Sequence, residues 1–551
     1  MVDTTDIPID LNDSEKELIR PFFTNTDKHV FGIINLPDVI KGTLFSRYSR
    51  SDKSARRLLL DEFIPNKDIL AVMESSMPAK GLDSSVAISK AEDFYQRVLV
   101  GYGDDSVAEL AGSHIACENI SSLAADSLTD SRIGISPLEK SARYIPFDKK
   151  VGGKYLWYRD KRIMDSRFAD LYETTHNKIF DFYVKWLPIL ISYIKEGNPR
   201  TDDTTPRAYE NTIRAKACDV LKNMLTAGRL TNIGLYGNGR SFEYLLVKLY
   251  SNELPEARSI AEQVHAELSK MIPAFVKRAQ QSEYIVGTRE SVIGFVHNSN
   301  TKGASTANAP YIKLVQYDKD AETNILAAML YPYSTLPIEE LKKHVSSMPE
   351  EKRRELITTY LSKRRNRRDK PGRALENAYY TFELCANYGI FRDLHRHRML
   401  SQERQRLTTH LGYDTPPELE PVGLDKEYRA LMEEAASAYN QISKEMPVEA
   451  QYMVPRSFHM RWYIKMNLRE VHHLTELRSI KQGHPDYRKI AQQMKLLVEK
   501  VHPSLVSYMQ VDMNDYALAR LESEKRIDRK LAELDTRKAT QQQGAKEQKE
   551  N

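Results

Sequence analysis

The sequence predicts an α+β fold, helix-rich around small sheets and built from two diverged copies of one unit. Three observations predict it. Apolar residues recur mostly at helical spacing, strand-like stretches are few and short, and motifs of the first half return in the same order in the second. At 551 residues the chain exceeds one simple core, so several domains are expected.

In chain order, residues 1–20 read as a polar leader. Val107 to Leu128 puts Leu110, Ala111, His114, Cys117, Ala124 and Leu128 at helical spacings, which predicts a helix. Phe180 to Ile194 is apolar enough for a core helix. Ser241 to Tyr250 and Pro255 to Ile272 read as amphipathic helices, the second opened by its proline. Strands are expected at His29 to Leu36, Glu283 to Val286, Ser291 to His297 and Tyr311 to Tyr317. The Gly- and Asn-rich segment from His297 breaks the chain. The expected domains are therefore 21–296 and 311–521, joined by a linker at 297–310. In the tail, 522–551, a charged helix is expected over Glu522 to Arg537 and disorder beyond Lys538.

Bulk properties exclude several classes. Hydrophobic residues make up 41% and charged ones 28%, which describes a globular protein. The acidic, polar start shows neither a secretory signal nor a transit peptide. No apolar stretch approaches the ~20 residues a membrane helix needs. Cys117, Cys218 and Cys385 stand far apart, against a disulfide framework or a thiolate metal site, and a reducing cytoplasm is expected. Cys117 and Cys385 are expected in the core. His395, His397, His472 and His473 lack ligand-type neighbours at recognised spacings, so no metal is expected. Gly234, Gly237 and Gly239 lack the flanks of a dinucleotide or phosphate loop and are read as a tight turn before a helix. The net charge of +5 is too mild to suggest nucleic acid. One run, Lys363 to Lys370, packs six cations into eight positions. It allows a solvated helix end, an anion collar beside a phosphate-bearing ligand, or RNA contact, although no aromatics interleave for base stacking.

The repeats are short but ordered. Asn238-Gly239-Arg240 returns as Asn467-Leu468-Arg469, 229 positions later, and each is followed by a helix and then a proline, Pro255 or Pro485. Glu109 similarly returns as Glu376, 267 positions on.

Phe391 to Arg406 holds five arginines and two histidines. Unpaired guanidinium groups are costly to bury, so such a cluster implies carboxylates or phosphates beside it. Within it, Arg396-His397-Arg398 followed after two residues by Ser401 resembles the Arg-His-Arg-x-x-Ser core of the flavin-dependent thymidylate synthases. The rest of that family's signature is absent there, with Glu403-Arg404-Gln405-Arg406-Leu407-Thr408 in its place. It is similar instead to Glu139-Lys140-Ser141-Ala142-Arg143-Tyr144 in the first half, which in turn has Ser131-Arg132-Ile133 where the triplet belongs. The family's Asn-x-Arg resembles Asn467-Leu468-Arg469, with Arg478 downstream and His473 in place of a second asparagine. Leu249 replaces the downstream arginine in the first half. A further family arginine that helps hold the nucleotide corresponds to Gln451, or to Lys222 in the first half.

The resemblance implies two thymidylate synthase-like copies sharing one composite site. It assigns FAD to Arg396, His397, Arg398, Asn467, Arg469 and His473, the nucleotide to Glu139, Ser141, Arg143 and Asp393, and the catalytic role to Arg478 at the pyrimidine. It implies dUMP, methylenetetrahydrofolate and NADPH as partners, and a homodimer of the fused chain. The reaction implied is reductive methylation of dUMP to dTMP, with no enzyme nucleophile and with arginines supplying orientation and charge. The alternative is a catalytically degenerate flavin- or nucleotide-binding scaffold or regulator, suggested by the lost signature residues and Gln451.

Overall fold

The computed structural model describes residues 9–36, 38–49, 51–65, 109–131, 133–143, 145–299 and 311–550. The chain divides into two compact units. The first is Met1–Ile120, Ala124–Lys140 and Thr231–Gly303; the second is Ser121–Leu123, Ser141–Leu230 and Ala304–Asn551. The second unit thus holds a long middle section of the first half together with the second half.

Strands β1 (Gly112–Ser121), β2 (Ile135–Glu139) and β3 (Leu230–Asn238) form a sheet in the order β1-β3-β2. Strands β4 (Tyr311–Tyr317), β5 (Tyr379–Asn387), β6 (Leu400–Arg404) and β7 (His459–Asn467) form another, in the order β4-β5-β7-β6. Apart from the added edge strand β4, the two sheets have the same order. Register agrees as well: β2 pairs antiparallel with β3 from Ile135 opposite Gly237, and β6 with β7 from Leu400 opposite Met466.

The helices repeat in the same way. In the first half come α1 (Ser122–Thr129), α2 (Ala169–Gly197), α3 (Pro206–Leu221), α4 (Gly239–Tyr250) and α5 (Pro255–Ser269). The second half has α6 (Tyr388–Leu394) after β5, α7 (Leu468–Arg478) after β7, and α8 (Pro485–Val501). Asn238 caps α4 by accepting from Ser241 N at 2.8 Å, and Asn467 caps α7 by accepting from Glu470 N at 2.9 Å. Each strand therefore turns into its helix at an asparagine whose side chain satisfies an orphan N–H. Gly239 N donates to Ala111 O and Leu468 N to Ala378 O, both at 2.9 Å. Arg240 pairs with Glu109 at 2.8 Å and Arg469 with Glu376 at 2.9 Å, so the two echoed motifs are joined by the same ion pair in each half.

Several expectations need correction. Of the helix expected over 107–128, residues 107 and 108 lie outside the described residues, Gly112–Ser121 is strand β1 and only Ser122–Thr129 is helical. Ser113, Ile115 and Cys117 are buried in alternation, and pairing with β3 prevails over a local spacing that suited either form. The strands expected at 283–286 and 291–297 are one helix, Glu283–Asn298, capped by Ser282, whose hydroxyl accepts from Ile285 N at 3.3 Å. His29 to Leu36 makes only a single bridge, Phe23 to Ile33. Gly234 and Gly237 lie in β3 rather than in a turn. A Cβ on Gly237 would come within 2.3 Å of Ile135 Cδ1, so close strand packing explains that glycine. The tail is helical over Leu521–Glu550, beyond the expected end at Arg537.

Cys117 and Cys385 are buried, as expected of core residues, and so is Cys218. Tyr311–Tyr317 is strand, and Phe180 to Ile194 lies inside α2, whose Tyr183, Trp186, Leu190 and Ile194 are buried. Among the described residues no helix is long and apolar enough to cross a membrane. Of the linker, residues 300–310 lie outside the described residues.

Replacing the cap at either equivalent turn, Asn238→Ala or Asn467→Ala, is expected to cost about 1 kcal/mol, read as a lower urea midpoint, while Asp in its place retains most of the stability.

Candidate functional site

The site belongs to the second unit and gathers around Arg143, in the loop after β2. Its Nε lies 3.2 Å from Asp219 Oδ1 on α3, and its Nη2 lies 3.8 Å from Asp393 Oδ2 on α6. Its third neighbour is Tyr487 on α8, whose hydroxyl accepts from Nη1 at 3.5 Å. Lys222, one turn beyond Asp219, donates to the same Asp219 oxygen at 2.9 Å and is itself buried. The residue that stands in the first half for the family's nucleotide arginine thus lies beside Arg143. Its second-half counterpart, Gln451, is buried, accepting from Leu407 N at 3.1 Å and donating to Val448 O at 3.0 Å.

Low dielectric makes these charges strongly interdependent. Burial would raise the Asp393 carboxyl, but Arg143, Lys222, Arg396 and Arg478 hold it far below the usual range. Burial likewise opposes ionisation of Asp219, which Lys222 and Arg143 keep ionised. Burial would lower Arg143, yet Asp219 and Asp393 raise it above an ordinary arginine. Lys222 is pushed by burial down to about 8 despite the pull of Asp219. His484, at the start of α8, is pushed by burial to about 4 and is neutral at pH 7.

Arg478, the last residue of α7, connects this cluster to a second one. It is one of the cations acting on Asp393, and its Nε donates to His397 Nε2 at 2.9 Å. That bond makes His397 Nε2 an acceptor, so Nδ1 carries the proton and donates to Glu470 Oε1 at 2.7 Å. The His473 ring stands 5.4 Å from that of His397, and Lys370 Nζ donates to its Nδ1 at 2.6 Å. His397, Glu470 and His473 bring three ligand atoms within 4.8 Å of one another, as a metal site would. Both imidazole lone pairs, however, already meet a cation. Arg396 and Arg398 flank the buried His397 at the exposed surface, with Arg396 Nε donating to Arg392 O at 3.0 Å. A cavity of about 470 Å³ adjoins the Arg143 cluster and includes Asp219 and His484 in its wall.

The structure therefore brings together Arg143, Asp393, Arg478, Arg396, His397 and His473 of the residues singled out from sequence. The side chain of Asn467 is taken up in capping α7. Arg469 binds Glu376 and donates to Pro371 O at 2.9 Å. Ser141 is exposed. Glu139 ends β2 in the first unit and accepts from the Thr231 hydroxyl at 3.0 Å. Arg132 and Tyr144, parts of the quoted motifs, lie outside the described residues. Asp219, Tyr487 and Glu470 were not singled out as site residues, and Lys370 was noted only as the end of the basic run. Asp219 precedes Lys222 by three positions and Glu470 precedes His473 by three, so helical spacing from a chosen cation or imidazole was the available signal.

The site is an arginine-rich cluster with ionised aspartates, carried by helices that leave the sheet at a capped turn. The family model described as thymidylate synthase complementing protein (Thy1) matches residues 58–274 and 313–504, and the chain belongs to that family. The two matched segments fit the two-copy arrangement. A Chlamydia pneumoniae relative, named only as a UPF0159 protein, is 40% identical over 521 residues, covering 93% of this chain and 97% of its own. The flavin-dependent thymidylate synthase of Geobacter sulfurreducens is 26% identical over 207 residues, 35% of this chain and 84% of its own. A solved flavin-dependent thymidylate synthase from Helicobacter pylori, complexed with FAD and dUMP, is 18% identical with a TM-score of 0.27, covering 36% of this chain and 98% of that one.

Arg143→Ala leaves Asp219 and Asp393 without their shared cation, an expected loss of about 3 kcal/mol in urea unfolding. Both carboxylates have folded pKa values below their unfolded ones. Their contribution is thus present above the unfolded values near pH 4 and lost as pH falls through the folded ones. The acid limb of stability should accordingly be shallower in Arg143→Ala than in the parent, and an identical limb would refute the pairing.

Proposed function

We propose that the chain is a flavin-dependent thymidylate synthase that methylates dUMP at a composite site, with Arg143 and Lys222 from the first copy and Arg396, His397, Arg398 and Arg478 from the second. One observation carries this reading. Arg143, from the half of the signature kept in the first copy, lies within ion-pair distance of Asp393, three residues before the triplet kept in the second. Proposed with it are the two copies at 21–296 and 311–521, a homodimer of the fused chain and a cytoplasmic location.

The donor set fits FAD. Arg396 and Arg398 stand at the surface, where guanidinium groups suit a pyrophosphate. His473, whose Nδ1 accepts from Lys370, carries its ring proton on Nε2 and suits a ring that accepts a hydrogen bond. His397, bound by Arg478 and Glu470 at its two nitrogens, positions Arg478. When bound, reduced FAD supplies hydride, with methylenetetrahydrofolate as carbon donor and NADPH as reductant. The protein's own work is electrostatic. Arg478 faces the pyrimidine and favours loss of its N3 proton, because a fixed guanidinium stabilises the anion. Asp393, held ionised, accepts from the ring edge and keeps Arg143 and Arg478 from repelling each other. Arg143 and Lys222 hold the phosphate, with Ser141 assigned to the same nucleotide. Asn467 and Arg469 act by fixing the start of α7, which carries His473 and Arg478.

The second reading, a flavin- or nucleotide-binding scaffold without turnover, is favoured by Gln451, whose side chain is spent on backbone groups. The visible spectrum of the purified protein and tritium release from 5-labelled dUMP separate the readings. A yellow protein that releases tritium is expected. A yellow protein that releases none supports the scaffold, and a protein that cannot be reconstituted with flavin refutes both.

Arg478→Ala should lower kcat on the order of 10²-fold. Binding of dUMP should weaken as pH rises through about 8, because Lys222 is charged below that value and neutral above it. Lys222→Arg, which keeps its charge, should remove that alkaline limb.

A further inference from the structure

Tyr487 has no part in the reaction proposed above, yet it meets both of the arginines that act on the nucleotide. Its hydroxyl accepts from Arg143 Nη1 at 3.5 Å. Both guanidinium groups lie over its ring, with Arg143 Cζ 5.4 Å and Arg478 Cζ 5.7 Å from the centroid. Both distances fall within the reach of about 6 Å at which an aromatic face attracts a cation. Tyr487 is buried, so water does little to weaken that attraction.

The ring is also held in place. Tyr487 lies in the first turn of α8, and the loop that leads to it from Arg478 is short and internally bonded. Arg488 Nε donates to Ser479 O at 2.8 Å, and Gly483 N donates to Ile480 O at 2.8 Å. A Cβ on Gly483 would come within 2.8 Å of Tyr487 Cε2, so the ring packs into space that a side chain at 483 would fill. Arg478 ends α7 and Arg143 comes from the loop after β2, and the ring on α8 is a common surface for both.

Two cations in so little water repel each other. Burial, with the like charges of Arg396 and Arg143, pulls the Arg478 guanidinium below an ordinary arginine. Asp393 compensates both arginines with charge, but a lone carboxylate would gather them onto itself. A neutral ring attracts each guanidinium and has a volume of its own, so it sets where they stand. Two guanidinium groups over one ring stay within the span of a single mononucleotide.

We propose that Tyr487 is a positioning residue for the methyl transfer: its ring, seated against Gly483, sets the separation of Arg143 and Arg478, and with it the distance at which one nucleotide is held by its phosphate and by its pyrimidine edge. The proposal rests on the roles given above to those two arginines. Tyr487 acts through them and not on the reacting atoms.

The test compares the full chain with Tyr487→Phe, Tyr487→Leu, Arg478→Ala and the double variant R478A/Y487L. Tritium release from 5-labelled dUMP gives kcat and KM, and calorimetric binding of dUMP needs neither flavin nor turnover. Tyr487→Leu should lower kcat about tenfold or more with a smaller rise in KM, because a misplaced group costs rate beyond binding. Tyr487→Phe keeps the ring and should stay within about threefold of the parent. A residue that acts through Arg478 adds nothing once Arg478 is gone, so the double variant should be no slower than Arg478→Ala. A purely structural tyrosine would lower the melting temperature and leave kcat, KM and dUMP affinity at parental values. That result would overturn the proposal, as would losses that multiply in the double variant or a Phe variant as slow as the Leu one. If Tyr487→Leu does not fold, Gly483→Ala decides, since its Cβ displaces the ring with the tyrosine kept, and parental kcat there would also overturn it. A parent that binds dUMP without turnover strikes the function proposed above, and the same cycle read on dUMP affinity then decides the positioning. A parent that binds no dUMP overturns both.

Discussion

The structure of the second unit turns on one guanidinium. Arg143 stands in a loop with no regular structure of its own, yet it meets α3 through Asp219, α6 through Asp393 and α8 through Tyr487. A charge in so little solvent is tolerable only where carboxylates compensate it, and those carboxylates are tolerable only where it compensates them. Each partner therefore fixes the others. Asp393 draws the end of α6, and with it the Arg396-His397-Arg398 triplet, toward the loop. Asp219 does the same for Lys222. Arg478 extends the network to His397 and Glu470, so two polar clusters share one set of compensating charges.

That network depends on geometry the two copies have in common. In each, an Asn ends a strand, caps the helix that follows and places an arginine two residues on against a glutamate from the opposite end of the motif. The cap fixes the angle at which the helix leaves the sheet. In the second copy that angle carries Glu470, His473 and Arg478 to positions spaced for one face of α7. Asn467 and Arg469, assigned to the cofactor from resemblance, are thus bound into the frame that aims their neighbours.

What was legible in the sequence follows the same division. The strand-to-helix turn was legible because its asparagine, its arginine and the later proline recur at fixed offsets. The triplet and the Glu-x-Ser-x-Arg loop were legible because charged residues this dense need a reason. Strand β1 was not, because Ala111, Ser113, Ile115 and Cys117 suit alternation while Leu110, His114 and Cys117 suit a helix. Only the presence of β3 decides between them. The helix over Glu283–Asn298 was misread for the opposite reason, its alternation of apolar and polar residues suggesting strands where a serine cap starts a helix. Asp219 escaped notice because a lone carboxylate on a helix carries no signal until Arg143, 76 positions earlier, is placed against it.

The complementary losses of the two copies have a physical basis as well. Where the second copy has Arg478, the first has Leu249, which is 1% exposed in an apolar core. An arginine there would need a carboxylate and a ligand to compensate it, whereas a fully buried leucine contributes roughly 1.5–3 kcal/mol by leaving water. Gln451 shows the same exchange in the other direction, a neutral amide whose hydrogen bonds go to the backbone where the first copy keeps the ammonium of Lys222. A cationic residue is stabilising only in the copy where its partners Asp219 and Asp393 stand. Cations and carboxylates gathered at one place compensate each other there, and the equivalent positions elsewhere gain more from neutral side chains. Leu249 and Gln451 are thus what the energetics of buried charge favour where those partners are missing.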